Sequence, residues 1–259
     1  MRVIILAAGE GKRLRPYTDD IPKCMVELAG NSLLSYQLST IKECNISPDK
    51  VALVGGYQSK ALDKFNLKKF ENINYSSTNM VTTLFCAHEF MQYDEDLIIS
   101  YGDIIYEEKV LKALLNSDDE VVVSADIEWE SLWRMRMAEP LDDAETFVLD
   151  DDLFIQELGK KPNSLSQVQA QYMGLIKIRG DKISKLIDIY QKMDRHINYD
   201  GQNFNNMYMT SFIQHLINIG WKVKAKLVQN GWLEVDTVDD LKCYERMFQE
   251  GTLENFCRL

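Results

Sequence analysis

Short apolar runs alternate with amphipathic segments over the first third of the chain. Residues 1–5 and 51–57 are apolar runs that predict buried strands, and apolar side chains recur at helical spacing over residues 33–44 between them. A strand, a helix and a second strand in this order are typical of a parallel sheet with right-handed crossovers. The pattern therefore predicts an α/β fold.

The rest of the chain continues this alternation. Further strands are predicted at residues 97–103, 120–127, 223–228 and 232–237, with a shorter one at 73–75. Helices are predicted at residues 80–91, 181–193, 205–219 and 239–248, and a polar helix with its connector at 58–72. No repeat or low-complexity segment interrupts these elements, so we expect one domain over residues 1–259.

Length and charge limit what such a domain can do. The chain has 259 residues, enough for one large α/β domain, and 46% of them are hydrophobic. Its formal net charge of −11 argues against nucleic acid as a partner, because phosphate contacts dominate that kind of affinity. Against this acidic background, the basic cluster between residues 12 and 23 indicates a local site for an anion.

Neither membrane insertion nor export is expected. No apolar stretch approaches the roughly 20 residues of a membrane span, and the N-terminal apolar run gives way to charged residues without a cleavage site. The cysteines are scattered, odd in number and form no C-x-x-C; they are Cys24, Cys44, Cys86, Cys243 and Cys257. We interpret them as reduced thiols of a cytoplasmic protein with no disulfide framework and no zinc site.

A loop of small residues follows the first predicted strand. The two alanines and two glycines of residues 7–11 let backbone N–H groups face an anion directly. Leucine at position 14 replaces the third glycine of the dinucleotide fingerprint, and the glycine–lysine pair at 11–12 is followed by Arg13 instead of the hydroxyl residue of a P-loop. Neither common phosphate-binding motif therefore explains the loop.

The motif extends to residue 23. Its full pattern, Leu6-Ala7-Ala8-Gly9-x-Gly11-x-Arg13-Leu14-x-Pro16-x-Thr18-x-x-x-Pro22-Lys23, resembles the signature of the sugar-nucleotide-type nucleotidyltransferases. The resemblance covers about residues 1–245 and is closest to the cytidylyltransferases that act on phosphocholine, phosphonates or phosphorylated glutamine. Molybdopterin-type and isoprenoid-type relatives share Ala-Ala-Gly but usually lack the Pro-x-Thr-x-x-x-Pro-Lys continuation.

The resemblance implies a single Rossmann-like nucleotidyltransferase domain. Its sheet would be mixed but mostly parallel and flanked by helices, with a small hairpin region on the acceptor side. We expect the nucleotide to bind to about residues 1–125 and the acceptor to about residues 126–259. We expect no counterpart of the long C-terminal β-helix of some sugar pyrophosphorylases, since little chain remains after Thr237.

In the family, the loop wraps the nucleoside triphosphate. Arg13 matches an arginine that grips the departing phosphates, and Lys23 matches a lysine at the reacting phosphate. The expected nucleotide-binding residues are Leu6, Ala7, Ala8, Gly9, Glu10, Gly11, Lys12, Gly56, Ser77, Thr78, Asn79, Tyr101 and Gly102. From physics alone, the polar residues 77–79 could equally cap the helix that follows them.

Two carboxylates are candidate Mg²⁺ ligands. Asp103 ends a predicted strand, where its side chain would point into a ligand crevice, although it could instead cap a turn. Mg²⁺ is usually held by one or two carboxylates together with phosphate oxygens. The resemblance places a second metal-binding aspartate at Asp236, in a Glu-Val-Asp-Thr context.

The acceptor site is expected in the second half of the chain. An aromatic face can hold a quaternary ammonium, as Trp129 could, and arginines suit a phosphate or phosphonate, as Arg134 and Arg136 could. Each of these side chains could instead be core or surface. The resemblance adds Lys160, Tyr172 and Glu234. It also implies a further strand at residues 169–178, whose start lines the acceptor side. The acidic residues within 142–152 are interpreted as a solvated hairpin in preference to a metal site.

Together these features predict a Mg²⁺-dependent cytidylyltransferase that transfers CMP from CTP to a small phosphorylated or phosphonate acceptor and releases pyrophosphate. Its catalytic residues would be Lys23, Arg13, Asp103 and Asp236. The alternatives are a sugar-1-phosphate nucleotidyltransferase that uses another nucleotide, and a non-catalytic regulatory subunit of the same fold. The resemblance also suggests capsule or cell-surface polysaccharide modification and a possible homodimer.

Overall fold

Alternate residues of the first strand face two different hydrophobic cores. Strand Arg2–Ala7 places Val3 and Ile5 in one core and Ile4 and Leu6 in the other, because successive side chains of a strand point to opposite faces of the sheet. A strand buried on both faces is a continuous apolar run, which is why this segment shows no polar alternation. The computed structural model describes all residues 1–259.

Seven strands form the central sheet. In chain order they are β1 (Arg2–Ala7), β2 (Val51–Gly55), β3 (Lys68–Glu71), β4 (Leu97–Tyr101), β5 (Val121–Asp126), β6 (Gln171–Ile178) and β7 (Val223–Val228). Their order across the sheet is β7-β5-β6-β4-β1-β2-β3. All neighbours are parallel except β6, which runs antiparallel to β4 and β5. The predicted mixed, mostly parallel sheet is confirmed.

Seven helices accompany the sheet. They are α1 (Leu33–Glu43), α2 (Met80–Phe85), α3 (Glu108–Leu115), α4 (Trp129–Arg136), α5 (Ile183–Lys192), α6 (Met209–Asn218) and α7 (Val238–Gln249). Four short strand pairs lie outside the sheet: Glu27–Leu28 with Asn31–Ser32, Ile104–Tyr106 with Trp232–Glu234, Phe147–Leu149 with Ile155–Leu158, and Asn198–Tyr199 with Gln202–Asn203. The third pair is the predicted acidic hairpin. None of the helices combines the length and apolar character that crossing a membrane requires.

The sequence prediction was wrong at the polar segment that follows β2. Instead of one helix at 58–72, a 3₁₀ helix at Ser59–Phe65 leads into β3, which pairs in parallel with β2. Residues 73–75 form no strand, and Tyr75 begins a 3₁₀ turn at Tyr75–Ser77. Pairing with an available sheet edge overrides the local preference of this polar segment.

Helix α2 is also shorter than predicted. It ends at Phe85 instead of continuing to residue 91, and a 3₁₀ turn at His88–Phe90 follows. The His88 ring nitrogen Nδ1 lies 3.0 Å from the Phe85 carbonyl oxygen, at the end of the helix. The turn buries Phe90, so packing of an apolar side chain accounts for the break in the helix.

The register of the sheet brings three strand ends together. Leu6 of β1 is opposite Tyr101 of β4, and Ala7 of β1 is opposite Gly55 of β2. All three strands run in the same direction, so the loops that follow them share one edge. In open α/β sheets such an edge is where ligands bind, at the point where strand connections diverge.

Candidate active site

The loop after β1 folds back toward the sheet edge. The buried Thr18 hydroxyl donates a hydrogen bond to the Gly11 carbonyl oxygen at 2.8 Å, which closes the loop. A short 3₁₀ turn at Lys23–Met25 follows and buries Cys24 and Met25. This anchoring fixes Lys23 beside the end of β4.

Lys23 bridges two aspartates from distant parts of the chain. Its ammonium donates to Asp103 Oδ2 at 2.6 Å and to Asp236 Oδ1 at 2.5 Å. Arg13 forms an ion pair with the other oxygen of Asp236. The structure therefore brings together all four residues that were predicted to be catalytic.

Local strand pairing positions Asp236. The segment Trp232–Glu234 pairs antiparallel with Ile104–Tyr106, which directly follows Asp103. The Val235 amide donates to the Asp103 carbonyl oxygen at 3.0 Å, so the two aspartates are held on adjacent backbones. Thr237 then caps α7. The predicted strand includes both Glu234 and Asp236, but the observed strand ends at Glu234, two residues before Asp236.

The cluster keeps its charges although it is largely buried. Burial would lower the pKa of the Lys23 ammonium, but the attraction of Asp103 and Asp236 outweighs burial and raises it. Burial would raise the pKa of Asp236, but Lys23 and Arg13 hold it below its usual value. Lys23 and Asp236 are therefore charged near neutral pH.

Asp103 retains an unused ligand atom. Its Oδ1 is buried and has no hydrogen-bond partner, which is costly unless something binds there. A hard cation that prefers oxygen ligands fits this atom and the nearby Asp236 carboxylate. No group of three or more His, Cys, Asp or Glu side chains is placed to hold a metal, so further ligands would have to come from a bound molecule such as a phosphate.

Two cavities adjoin at this cluster. The first, which we call the loop cavity, is lined by Leu6, Ala7, Ala8, Gly9, Lys23, Cys24, Tyr75, Thr78, Asn79, Met80, Thr83, Tyr101, Gly102 and Asp103. The second, which we call the acidic cavity, is lined by Arg13, Met80, Tyr101, Trp133, Asp143, Glu145, Gln171, Tyr172, Met173, Gly174, Tyr208, Met209, Thr210, Glu234 and Asp236. Met80 and Tyr101 belong to both walls.

Most predicted nucleotide-binding residues line the loop cavity, but five do not. Glu10 forms salt bridges with Lys12, whose side chain is 68% exposed, and with Arg15. Gly11, Ser77 and Gly56 also lie outside the lining set. Gly56 acts indirectly, because a Cβ there would lie 2.9 Å from the Ala8 Cβ, too close for the loop to keep its path.

Asn79 caps a helix and also lines the loop cavity. Its side-chain oxygen accepts a hydrogen bond from the Met80 amide at 2.8 Å and so caps α2. The same residue lines the loop cavity beside Thr78. Capping and cavity lining were weighed as alternatives for this segment, and the geometry allows both.

Arg136 is not free to bind an acceptor anion. Its guanidinium is almost fully buried and donates to Asp240 at 3.0 and 3.2 Å and to Glu234 at 3.3 Å. It also lies 4.5 Å from the ring centroid of Trp133. Arg136 therefore neutralises the back of the acidic cavity. Burial nevertheless raises the pKa of Glu234 to about 7, against the attraction of Arg136.

Three other predicted acceptor residues lie outside both cavities. Trp129 is packed in the core and its indole N–H donates to the Val168 carbonyl oxygen at 3.2 Å. Arg134 is exposed and pairs with Glu130 one helical turn away. Lys160 is 52% exposed and pairs with Glu157 at 2.7 Å. Packing of the helix and of the hairpin, which a linear pattern cannot reveal, directs these side chains away from the site. Tyr172 and Glu234 do line the acidic cavity.

The sequence prediction missed the residues that give the acidic cavity its character. Asp143 and Glu145 were assigned to a solvated hairpin, yet both line the cavity. Burial and then repulsion by Asp143 raise the pKa of Glu145 to about 7. The only signal in the sequence is that Glu145 directly precedes Thr146 and Phe147, which are buried. Gln171, at the start of β6, lies in the segment whose start the resemblance places on the acceptor side, but it was not named as a site residue.

Comparisons with known proteins agree with this geometry. Residues 3–149 match the family model of the MobA-like NTP transferase domain. A CTP:phosphoglutamine cytidylyltransferase of Campylobacter jejuni subsp. jejuni serotype O:2 is 42% identical over 251 residues, which span 93% of this chain and 98% of the relative.

Two solved structures share the fold. The inositol-1-phosphate CTP transferase from T. maritima superposes with a TM-score of 0.74 at 19% identity, covering 100% of this chain and 98% of that one. The CTP:phosphocholine cytidylyltransferase from Streptococcus pneumoniae superposes with a TM-score of 0.70 at 19% identity, covering 95% of this chain and 98% of that one.

Proposed function

This chain belongs to the MobA-like NTP transferase domain family and is a nucleotidyltransferase; on that premise we propose that it transfers CMP from CTP to a small phosphorylated or phosphonate acceptor. Pyrophosphate is the second product. The choice of CTP rests on the relative that matches nearly the whole chain and is named a CTP:phosphoglutamine cytidylyltransferase. Phosphorylated glutamine is accordingly the first acceptor to test.

One observation carries this proposal. Lys23 and Asp103 line the loop cavity, whereas Arg13 and Asp236 line the acidic cavity. The hydrogen bond from Lys23 to Asp236, at 2.5 Å, crosses from one cavity to the other. A nucleotide in the first and an acceptor in the second would meet at the charged cluster between them.

The proposed reaction is an in-line substitution at the α-phosphorus. An acceptor phosphate or phosphonate oxygen forms the new bond to that phosphorus, and the bond to the bridging oxygen of pyrophosphate breaks with its electron pair leaving on pyrophosphate. The acceptor oxygen is already anionic at neutral pH, so no general base is needed. The protein contributes positioning and charge neutralisation, as in other phosphoryl transfers.

Each group in the cluster has a role in this scheme. The backbone of residues 7–9 faces the triphosphate, Lys23 stabilises negative charge at the reacting phosphorus, and Arg13 holds the departing phosphates. Asp103 and Asp236 would hold Mg²⁺, whose chemistry when bound is to offset the repulsion between two phosphate anions. The ion pairs to Lys23 keep both carboxylates oriented.

The wider setting is also proposed. Five free cysteines without a disulfide suit a reducing compartment, and we place the reaction in the cytoplasm. The product, a CMP-activated small molecule, suits later transfer to a capsule or other cell-surface polysaccharide, with phosphonate acceptors as a further class. The possible homodimer stays a prediction.

A matrix of substrates tests the proposal. Pyrophosphate release is measured for each of the four ribonucleoside triphosphates with phosphorylated glutamine, phosphocholine, aminoethylphosphonate, hydroxyethylphosphonate and glucose 1-phosphate. We expect strong preference for CTP and no activity with glucose 1-phosphate. Turnover with glucose 1-phosphate alone would instead identify a sugar-1-phosphate nucleotidyltransferase, and no turnover with any pair would favour a regulatory subunit.

Substitution of the carboxylates tests the cluster. Asp103→Ala and Asp236→Ala should each lower kcat by on the order of 10²–10³, the cost typical of losing one group that stabilises transition-state charge. Asp151→Ala, at an exposed position of the hairpin turn, is the control and should keep full activity. Chelation should abolish wild-type turnover and added Mg²⁺ should restore it. An active double variant would refute the assignment of metal ligands.

A further inference from the structure

The acidic cavity has the wrong charge for an acceptor that is only an anion. Four carboxylates line it, from Asp143, Glu145, Glu234 and Asp236, and Arg13 is the one lysine or arginine in its wall. A phosphorylated acceptor would be repelled by such a wall unless another part of it carried positive charge.

Ion pairing removes only half of this negative charge. Asp236 is paired with Lys23 and Arg13, and Glu234 is paired with Arg136. Asp143 and Glu145 take part in no salt bridge. The unpaired charge is thus contributed by residues 143–145, which take no part in the hydrogen bonds of the Lys23 cluster.

A second observation points to a ligand in the same cavity. Gln171 lines it and is 8% exposed, and its Oε1 is buried without a hydrogen-bond partner. The amide nitrogen of the same side chain is used, since it donates to the Tyr172 carbonyl oxygen at 3.4 Å. A buried carbonyl oxygen that lacks a donor is uncommon in a folded protein and requires an explanation.

We propose that the acidic cavity selects phosphorylated acceptors that carry an ammonium group with N–H donors, bound by the carboxylate of Glu145 and the side-chain oxygen of Gln171. This inference rests on the proposed nucleotidyl transfer and adds the class of acceptor. The phosphate end meets Lys23 at the charged cluster, and the ammonium end meets Glu145 and Gln171. Such an acceptor is a zwitterion that matches the opposite charges of the two ends.

The two residues impose different requirements. A neutral hydroxyl in place of the ammonium leaves the Glu145 carboxylate without a counter-charge. A quaternary ammonium supplies the charge but has no N–H, so it leaves Gln171 Oε1 without a donor. Leaving a buried polar group without a partner costs more free energy than a favourable contact of similar size contributes. The ammonium with N–H donors is therefore favoured over the hydroxyl and over the quaternary ammonium.

Matched acceptors separate these requirements. With CTP, kcat/KM is measured for phosphoethanolamine, phosphocholine and 2-hydroxyethyl phosphate, and for phosphorylated glutamine beside the analogue that lacks its α-ammonium. We expect the acceptors with a primary ammonium to exceed their partners by about 10- to 100-fold, the range for a hydrogen bond to a charged group. The difference should appear mainly in KM.

Two variants test the residues themselves. Glu145→Gln should remove most of the preference for the ammonium over the hydroxyl, and Gln171→Met should remove most of the preference over the quaternary ammonium. KM for CTP should change by no more than about twofold in either, since both residues lie outside the loop cavity. Asp151→Asn, an exposed carboxylate in the turn of the hairpin that follows Glu145, is the matched control.

The possible failures are distinguishable. If CTP supports turnover but the ammonium acceptors are not preferred, or if both variants lower kcat/KM equally for every acceptor, the selection role is overturned and the nucleotidyl transfer stands. If no acceptor is turned over with CTP, the proposed function itself fails. Thermal unfolding of each variant separates a loss of fold from a loss of selection.

Discussion

The loop cavity and the acidic cavity share a wall but are built on different principles. The loop cavity is lined mostly by uncharged residues, from the ends of β1 and β4 and from residues 75–83, and its charged lining residues are Lys23 and Asp103. The acidic cavity is lined by side chains from many elements, with four carboxylates and Arg13. In the proposed reaction the first would bind the triphosphate, and the charges of the second would select the acceptor.

This difference implies a division of labour. Changes in the acidic cavity should alter which acceptor is used without altering nucleotide binding, and changes behind the loop should do the reverse. The charged cluster of Lys23, Asp103 and Asp236 spans the boundary, so its loss should affect both substrates. Substitutions that act on one cavity at a time test this distinction.

The largest effect is expected behind the acidic cavity. Arg136→Met should lower the free energy of unfolding by about 3–5 kcal/mol, because it leaves the buried carboxylates of Asp240 and Glu234 without their partner. Urea unfolding measures this. Arg134→Met, two residues earlier on the same helix, is the control, and loss of its exposed pair should cost less than about 0.5 kcal/mol. Equal effects would show that Arg136 does not support the cavity.

Two glycine substitutions should separate the cavities kinetically. In Gly56→Ala the new Cβ would lie 2.7 Å from the Tyr75 Cβ and 2.9 Å from the Ala8 Cβ, and so would displace the wall of the loop cavity. In Gly159→Ala the new Cβ would lie 2.6 Å from the Thr210 hydroxyl oxygen, at the wall of the acidic cavity, and the backbone φ of +87° adds strain.

We expect Gly56→Ala to raise KM for CTP and Gly159→Ala to raise KM for the acceptor. Each increase should be on the order of tenfold, the factor that corresponds to about 1.4 kcal/mol. Steady-state kinetics with each substrate varied in turn measures both constants. If either variant raised both constants to the same extent, the division between the cavities would be lost.

A smaller effect is expected in stability as a function of pH. Burial, followed by repulsion from Asp143 and Asp200, raises the pKa of Glu145 from 4.5 to about 7 in the folded protein. As pH rises from 4.5 to 7, the unfolded chain loses this proton first, so the folded state is progressively destabilised and the cost is fully present above pH 7.

Glu145→Gln should therefore be more stable than the wild type at pH 8, by about 1–3 kcal/mol at roughly 1.4 kcal/mol for each unit of pKa change. The difference should vanish as the pH falls to 4.5. Thermal or urea unfolding at several pH values measures it, with Asp151→Asn as a control that should show no such trend. If Glu145→Gln were less stable than the wild type at pH 8, the ionised Glu145 side chain would not destabilise the folded state.

The two cavities also differ in how far the sequence could predict them. Residues 6–9 and 101–103 are continuous at the ends of apolar strands, so local pattern and family resemblance were sufficient to place them in one cavity. The meeting of Lys23 with Asp236, 213 positions apart, could be predicted only from the resemblance. The strand pairing that creates it, between Trp232–Glu234 and Ile104–Tyr106, has no local signal.

The acidic cavity depends on tertiary packing that the sequence does not display. Trp129 and Arg136 were predicted to bind a ligand because of their chemistry. Trp129 instead packs in the core, and Arg136 forms salt bridges with Asp240 and Glu234. Glu145 looked like part of a solvated turn because its neighbours in the sequence are acidic. Its partial burial arises from the elements that the fold packs around it, which no linear pattern specifies.

The most direct test of the two-cavity account follows the α-phosphate of CTP. CTP radiolabelled at that phosphate is incubated with phosphorylated glutamine, Mg²⁺ and the protein, and the products are separated. We expect the label to appear in a new species made of CMP joined to the acceptor, in equal amount to the pyrophosphate released, and we expect Asp236→Ala to prevent this transfer. Label recovered only as free CMP, or transfer undiminished in Asp236→Ala, would contradict it.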